Sequence, residues 1–228
     1  MKRRRIGVYG GTFDPVHRGH LSVARAVLEN FVLDELLFVP AFVPPHKRGR
    51  EISSPHHRYA MLALATRHEP QMRISTIELD APARPYTVET MASLQAQYAP
   101  QAEADLFFVM GMDSFREVTL WRDYETLLTN YGIIVAARPG HENDDEARGK
   151  HLAPTLQSRV LDLRGGQRPT DEQLATPQIF VTDYVAVDVS ATAIRAAVEA
   201  GNDAGQGIET LVPSVVAAYV QKYSLYLD

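Results

Sequence analysis

Residues 4–31, RRIGVYGGTFDPVHRGHLSVARAVLENF, constrain the fold more than any other stretch of the chain. Arg5–Tyr9 is short, alternates in bulk and is bounded by glycine, which predicts a buried strand. Gly10-Gly11-Thr12-Phe13-Asp14-Pro15 breaks both strand and helix patterns. It predicts a turn rich in backbone N–H groups, with two glycines that permit φ > 0 and close approach of a ligand. Leu21, Ala24, Leu28 and Phe31 then fall at helical spacing, so a helix starts near Gly19 or His20. Strand, glycine turn and helix start together hold phosphate, because N–H groups and the positive end of the helix dipole converge on one place. His17 and His20, three residues apart, add donors that meet charge developing on a phosphate oxygen. The glycines fit neither G-x-G-x-x-G nor a Walker A loop. Taken alone, H-x-x-H is more often a pair of surface polar residues.

The rest of the chain reads as an α/β domain built around that stretch. At 228 residues it is long enough for one substantial core and need not split. Glu35–Pro40, ELLFVP, predicts a second buried strand. Strand, helix and strand over this length make a βαβ unit with a parallel pair and a right-handed crossover. Ala41–Arg50, stiffened by Pro44-Pro45, places His46, Lys47 and Arg48 beyond the carboxyl end of that strand, where open α/β sheets bind ligands. Ser54-Pro55 starts a helix running to about Glu69, with His56 and His57 as first-turn surface residues and Arg58 as a structural one. Met72–Leu79 alternates and predicts a third strand. Thr87, as N-cap, opens a helix with Val88, Met91, Leu94 and Tyr98 on one face.

Asp105–Met110 is nearly all apolar and predicts a central strand. Gly111-Met112-Asp113-Ser114 follows as a turn at its carboxyl end, a place suited to a ribose or adenine edge. Trp121 is the single tryptophan. Gly132–Ala137 predicts a fifth strand. Residues 141–177 hold charge clusters, Gly165-Gly166 and three prolines; we expect a variable insertion within one domain spanning 1–228, with LAPTLQSRVLDL forming a short helix and then a strand. Ile179–Tyr184 is the last strand. Ser190 is an N-cap residue type, placing Arg195 ~7 Å along the next helix at 1.5 Å per residue. Val212-Pro213-Ser214 starts a closing helix.

These strings resemble the nucleotidylyltransferase family with its T/H-x-G-H signature, and GGTFDPVHRGH is similar to the opening of bacterial nicotinate-mononucleotide adenylyltransferases. The resemblance covers nearly the whole chain outside 141–177. It implies a Rossmann-like, doubly wound, mainly parallel sheet. It implies catalytic roles for His17, His20, Lys47 and Arg195. It implies ATP binding by Gly10, Gly11, Thr12, Phe13, His20, Gly111, Asp113, Ser190 and Arg195. Tyr86, Thr87 and Trp121 would hold the pyridine nucleotide, its carboxylate on backbone N–H groups and its ring on the indole. Pro85, Met91, Ala191 and Val220 stand where the family has serine, leucine, serine and isoleucine.

The implied reaction is adenylyl transfer from ATP to nicotinate mononucleotide, giving nicotinate adenine dinucleotide and pyrophosphate in NAD biosynthesis. Mg²⁺ would come with ATP, and no metal site is expected in the chain itself. Alternatives are a nucleotidylyltransferase acting on phosphopantetheine or an alcohol phosphate, or a non-catalytic nucleotide sensor. A synthetase-like tRNA module is disfavoured by the formal charge of −5. Zero cysteines exclude disulfides, thiolate metal sites and a cysteine nucleophile. Met1–Arg5 reads as a solvated leader to the first strand, since the following stretch breaks at Gly10-Gly11. No segment has the ~20 apolar residues of a membrane span. A cytoplasmic protein without nucleic-acid or membrane partners is expected.

Overall fold

The computed structural model describes residues 3–42, 52–81, 83–99, 104–137, 145, 147–184, 189–201 and 207–227. The expected βαβ opening is there: β1 (Arg4–Gly11), α1 (Arg18–Asn30) and β2 (Glu35–Pro40), with β1 and β2 parallel. Next come α2 (Pro55–Thr66), β3 (Met72–Ile74), α3 (Thr87–Tyr98) and β4 (Ala104–Gly111). The second half holds α4 (Met112–Arg116), α5 (Tyr124–Asn130), β5 (Gly132–Ala136), α6 (Pro154–Gln157) and β6 (Val160–Asp162). It closes with α7 (Asp171–Leu174), β7 (Ile179–Thr182), α8 (Ala191–Gly201) and α9 (Ser214–Lys222). The described strands form one seven-stranded sheet in the order β3-β2-β1-β4-β5-β7-β6. Every pairing in it is parallel.

Apolar runs in the strands follow from burial on both faces. Phe107 and Val109 join the core under α1, α8 and α9, while Leu106, Phe108 and Met110 join the core under α3, α4 and α5. The same alternation divides Ile134 from Ile133 and Val135, and Phe180 from Ile179 and Val181. Successive residues feed two separate cores, so the sheet is the middle of three layers. The chain leaves β1 first toward β2 and β3, then returns to β4 on the other side. The carboxyl ends of β1 and β4 thus flank the switch point, where a parallel sheet leaves a crevice.

Several boundaries depart from the sequence-based expectation. β1 continues through Gly10 and Gly11, which pair with Val39 and Pro40. Neither glycine has a positive φ; the left-handed residue is Phe13, at φ 52°. The glycines make room for rings instead. A Cβ on Gly11 would lie 2.8 Å from the Phe13 ring, and one on Gly10 would lie 3.1 Å from Phe108. Helix α1 begins at Arg18. β3 ends at Ile74, not Leu79, because Ser75 and Thr76 turn their hydroxyls to the local chain. The Ser75 hydroxyl accepts the Ile77 N–H at 3.4 Å and the Thr76 hydroxyl donates to Asp80 at 2.6 Å, competing with the ladder. Residues 112–116 are a short helix rather than a turn, and the cap of α3 is Tyr86, with Thr87 the first helical residue. Within 141–177, α6 and β6 form, and β6 pairs with β7 as the sheet's edge strand.

One buried cation ties the loop after β1 to the rest. Arg58, on the first turn of α2, is fully buried. Its guanidinium donates to the carbonyls of Thr12 (2.9 Å), Phe42 (2.9 Å) and Ser53 (3.1 Å). Burial lowers its pKa and the Asp14 carboxylate raises it again. Removing one partner of a buried charge network strands the others, which costs about 3–5 kcal/mol. We expect Arg58→Met to lose that much in urea unfolding monitored by circular dichroism. A loss under about 1 kcal/mol would show that the loop is held by something else.

Candidate active site

Helix α1 starts with an unusual cap. Ser, Thr, Asp and Asn are the common N-cap residues; here the position is His17. The His20 N–H donates to His17 Nδ1 at 3.4 Å, and the His17 N–H donates to His20 Nδ1 at 3.3 Å. The two rings stack, with centroids 3.6 Å apart and planes at 24°. An Nδ1 that accepts a backbone N–H cannot also carry a proton, so each imidazole is held neutral with its proton on Nε2. His17 is buried and is not the surface residue that a lone H-x-x-H suggests. Phe13 packs edge-on against His20, centroids 5.0 Å apart, which fixes the second ring from behind.

Both histidines line a cavity of about 310 Å³ at the carboxyl ends of β1 and β4. Thr12, Phe13 and Asp14 form one wall, Gly111, Asp113 and Arg116 a second, and Ser190, Ala191 and Thr192 a third. The third wall is the start of α8: the Ser190 hydroxyl accepts the Ala193 N–H at 3.1 Å, so Ser190 caps the helix as its residue type predicts. Two helix starts, those of α1 and α8, therefore meet at one cavity, and each brings partial positive charge.

The polar support lies beneath. The Asp14 carboxylate is buried and turned inward, accepting the Tyr226 hydroxyl (2.8 Å) and the Ser53 N–H (3.2 Å). Burial and then the Asp14 charge push the Tyr226 phenol far above its ordinary range, so it remains a donor at any working pH. Arg195 donates to the Asp14 carbonyl at 2.6 Å and to the Thr192 hydroxyl at 3.3 Å. Asp14 thus directs its charge away from the cavity while its carbonyl anchors a cation at the rim.

The residues expected from sequence are distributed as follows. Thr12, Phe13, His17, His20, Gly111, Asp113 and Ser190 line the cavity. Gly10 and Gly11 do not; they act through the rings that cover them. Arg195 reaches the same loop through Asp14. Lys47 lies outside the described residues. Tyr86, Thr87 and Trp121 stand apart from the cavity, and Phe108 links the two places. Its ring lies against Gly10 and, edge-on, against Trp121 at 6.1 Å. At the start of α3 the Tyr86 N–H donates to Glu89 at 2.8 Å, and the Arg122 guanidinium sits 5.0 Å from the Tyr86 ring centroid. Sequence reasoning missed Arg116, Arg122 and Tyr226. Arg116 and Arg122 carried a signal, as cations flanking the Asp113 and Trp121 positions; Tyr226, 212 residues from Asp14, carried none.

Among the described residues no group of three or more His, Asp or Glu side chains is placed to hold a metal. No described helix is long and apolar enough to cross a membrane.

Comparison with known proteins agrees with this arrangement. The cytidylyltransferase-like family model matches residues 8–197. A probable nicotinate-nucleotide adenylyltransferase of Thermoanaerobacter sp. is 35% identical over 222 residues, covering 97% of this chain and 94% of that protein. A relative of the same name from Desulfatibacillum aliphaticivorans is 34% identical over 229 residues, covering 98% of this chain and 100% of its own. Among solved structures, Plasmodium falciparum nicotinic acid mononucleotide adenylyltransferase complexed with APC superposes with a TM-score of 0.66 over 98% of both chains, at 17% identity. The complex of that enzyme with NaAD gives 0.65, covering 98% of both chains at 16% identity. These two likenesses show the fold, and the matches in sequence show the kinship: the chain belongs to the cytidylyltransferase-like family, and within it to the nicotinate-nucleotide adenylyltransferases.

Proposed function

We propose that the protein transfers the adenylyl group of ATP to nicotinate mononucleotide, forming nicotinate adenine dinucleotide and pyrophosphate for NAD biosynthesis. The names of the relatives and the NaAD and APC complexes of the structural neighbour support this reading. The observation that carries the chemistry is the stacked pair of neutral imidazoles at a cavity formed by two helix starts.

The acceptor's 5′-phosphate is the nucleophile. With a second pKa near ~6 it is already mostly dianionic at neutral pH, so no general base is required. It attacks the α-phosphorus in line, the bond to the β-phosphate oxygen breaks, and pyrophosphate leaves with the electron pair. The protein's task is to hold the two phosphates in line and to meet charge as it shifts. The Nε2–H groups of His17 and His20 donate to oxygens of the reacting phosphate, and these bonds strengthen as charge grows there. The start of α8 and Arg195 meet the leaving polyphosphate. Mg²⁺ enters with ATP as part of the substrate, coordinated mainly by phosphate oxygens and water. No serine, cysteine or carboxylate is needed as a covalent carrier.

Acceptor choice belongs to the start of α3. Glu89 takes the Tyr86 N–H, and the first-turn N–H groups of Thr87 and Val88 have no partner inside the helix. Arg122 adds a full positive charge beside Tyr86. A carboxylate accepts from such donors with both oxygens, whereas an amide turns an NH₂ toward them.

Two outcomes are expected. His20→Ala lowers kcat about 10²–10³-fold with KM little changed, because it removes a donor that acts on developing charge. Wild-type turnover in that variant would take His20 out of the reaction. Measured with MgATP at one pH, kcat/KM for nicotinate mononucleotide exceeds that for the amide by about 10²-fold or more, since a site whose donors match a carboxylate is left with unpaired donors by the amide. Equal values would contradict acid selection at α3, and activity only with phosphopantetheine or an alcohol phosphate would contradict the proposed acceptor.

A further inference from the structure

We infer that Arg116 binds the adenine nucleotide and that His151, delivered by the segment between β5 and β6, is the residue that positions it. Arg116 ends the five-residue helix α4 and lines the same cavity as the histidine pair. Its guanidinium is 3.5 Å from the carboxylate of Asp113, a second lining residue, and its side chain keeps about 30% of its surface exposed. A guanidinium that faces a cavity between two helix starts adds to a field that favours anions. Such a field matches a nucleotide polyphosphate, with which Arg forms charge-assisted hydrogen bonds.

A helix of five residues does not hold a side chain by itself. Isolated short helices are marginal, and their last carbonyls need outside partners. Two apolar residues, Met112 and Phe115, bury one face of α4. The carbonyl of Phe115, next to Arg116, accepts from His151 Nε2 at 2.9 Å. The His151 ring also meets the Phe115 ring edge-on, centroids 4.9 Å apart. Nε2 is the donor of this bond, and the other ring nitrogen is Nδ1. It is buried without a hydrogen-bond partner among the described residues. What His151 secures is the end of α4.

The turn that carries His151 is itself fixed. Gly149 adopts φ 71°, in the left-handed region, and a Cβ there would lie 2.8 Å from the Val160 side chain of β6. Its carbonyl accepts the Leu152 N–H at 2.8 Å and the Gln157 amide at 3.3 Å. Ala147 and Leu152 are buried in the same core as Phe115. A rigid path therefore runs from the edge strand β6, through Gly149 and His151, to the last turn of α4 and the cavity wall. Residues 147–152, within the segment expected to be a variable insertion, thus join the frame of the nucleotide site.

The inference rests on the adenylyl-transfer reading for the identity of the nucleotide, and a direct binding measurement separates the two. Calorimetric titration with the magnesium complex of a non-hydrolysable ATP analogue gives Kd for wild type, Arg116→Ala, His151→Leu, His151→Gln and the Arg116→Ala/His151→Leu double variant. Thermal melts are recorded for each to show that it is folded. Arg116→Ala and His151→Leu each weaken binding about tenfold, and the double variant is no weaker than the weaker single one. Glutamine, which keeps an N–H donor, restores affinity to within about twofold of wild type. An unchanged Kd in Arg116→Ala overturns the assignment of Arg116. Multiplying effects in the double variant, or failure of glutamine to rescue a folded protein, overturn the positioning role of His151. Wild-type protein that binds the analogue but transfers no adenylyl group to nicotinate mononucleotide would instead overturn the reaction assignment.

Discussion

The reciprocal bonds between His17 and His20 are the interaction on which the rest of the site depends. Each imidazole satisfies the other residue's backbone N–H, so the cap of α1 and the protonation state of two functional rings are one structural fact. A serine or aspartate would cap as well. Histidine caps with one ring nitrogen and presents a proton on the other, at the far side of the ring. Stacking at 3.6 Å adds a second constraint, because two imidazolium charges at that distance would repel. In the proposed reaction the pair serves as donors to charge that develops elsewhere.

The loop that leads into this pair is strained and is held from below. Phe13 sits in the left-handed region, which costs a bulky residue of order 1–3 kcal/mol. Arg58, Arg195 and Tyr226 bind the backbone or carboxylate of Thr12 and Asp14 from three separate elements of the chain. Arg58 and Tyr226 hold the loop from the buried side, while Arg195 stands at the cavity rim. Two cations and a phenol therefore hold the Thr12–Asp14 wall without filling the cavity, and the one carboxylate among them is neutralised before it can repel phosphate. Support and chemistry use different atoms of the same few residues.

Much of this was legible in sequence, for a physical reason. Strands buried on both faces read as apolar runs, so β2, β4, β5 and β7 stood out, and a helix start needs a cap, so Ser190 did too. Errors arose where side chains act on neighbours that sequence does not reveal. Gly10 and Gly11 promised positive φ, but their role is to admit the rings of Phe108 and Phe13. Ser75 and Thr76 alternate like a strand, yet their hydroxyls end it. Arg58 was read as structural without a partner in view; its three carbonyls come from two loops, Thr12 after β1 and Phe42 and Ser53 between β2 and α2. Tyr226 and His151 act across 212 and 36 residues, and no local pattern marks either.

The central claim is that the histidine pair donates to the reacting phosphate and never bonds to phosphorus. Stereochemistry at the α-phosphorus tests it most directly. With ATP made chiral by sulfur substitution at that position, one in-line displacement by nicotinate mononucleotide inverts the configuration. Phosphorus NMR of the dinucleotide product should show inversion. Retention would require two displacements and a covalent adenylyl-enzyme, and it would contradict the donor role assigned to His17 and His20.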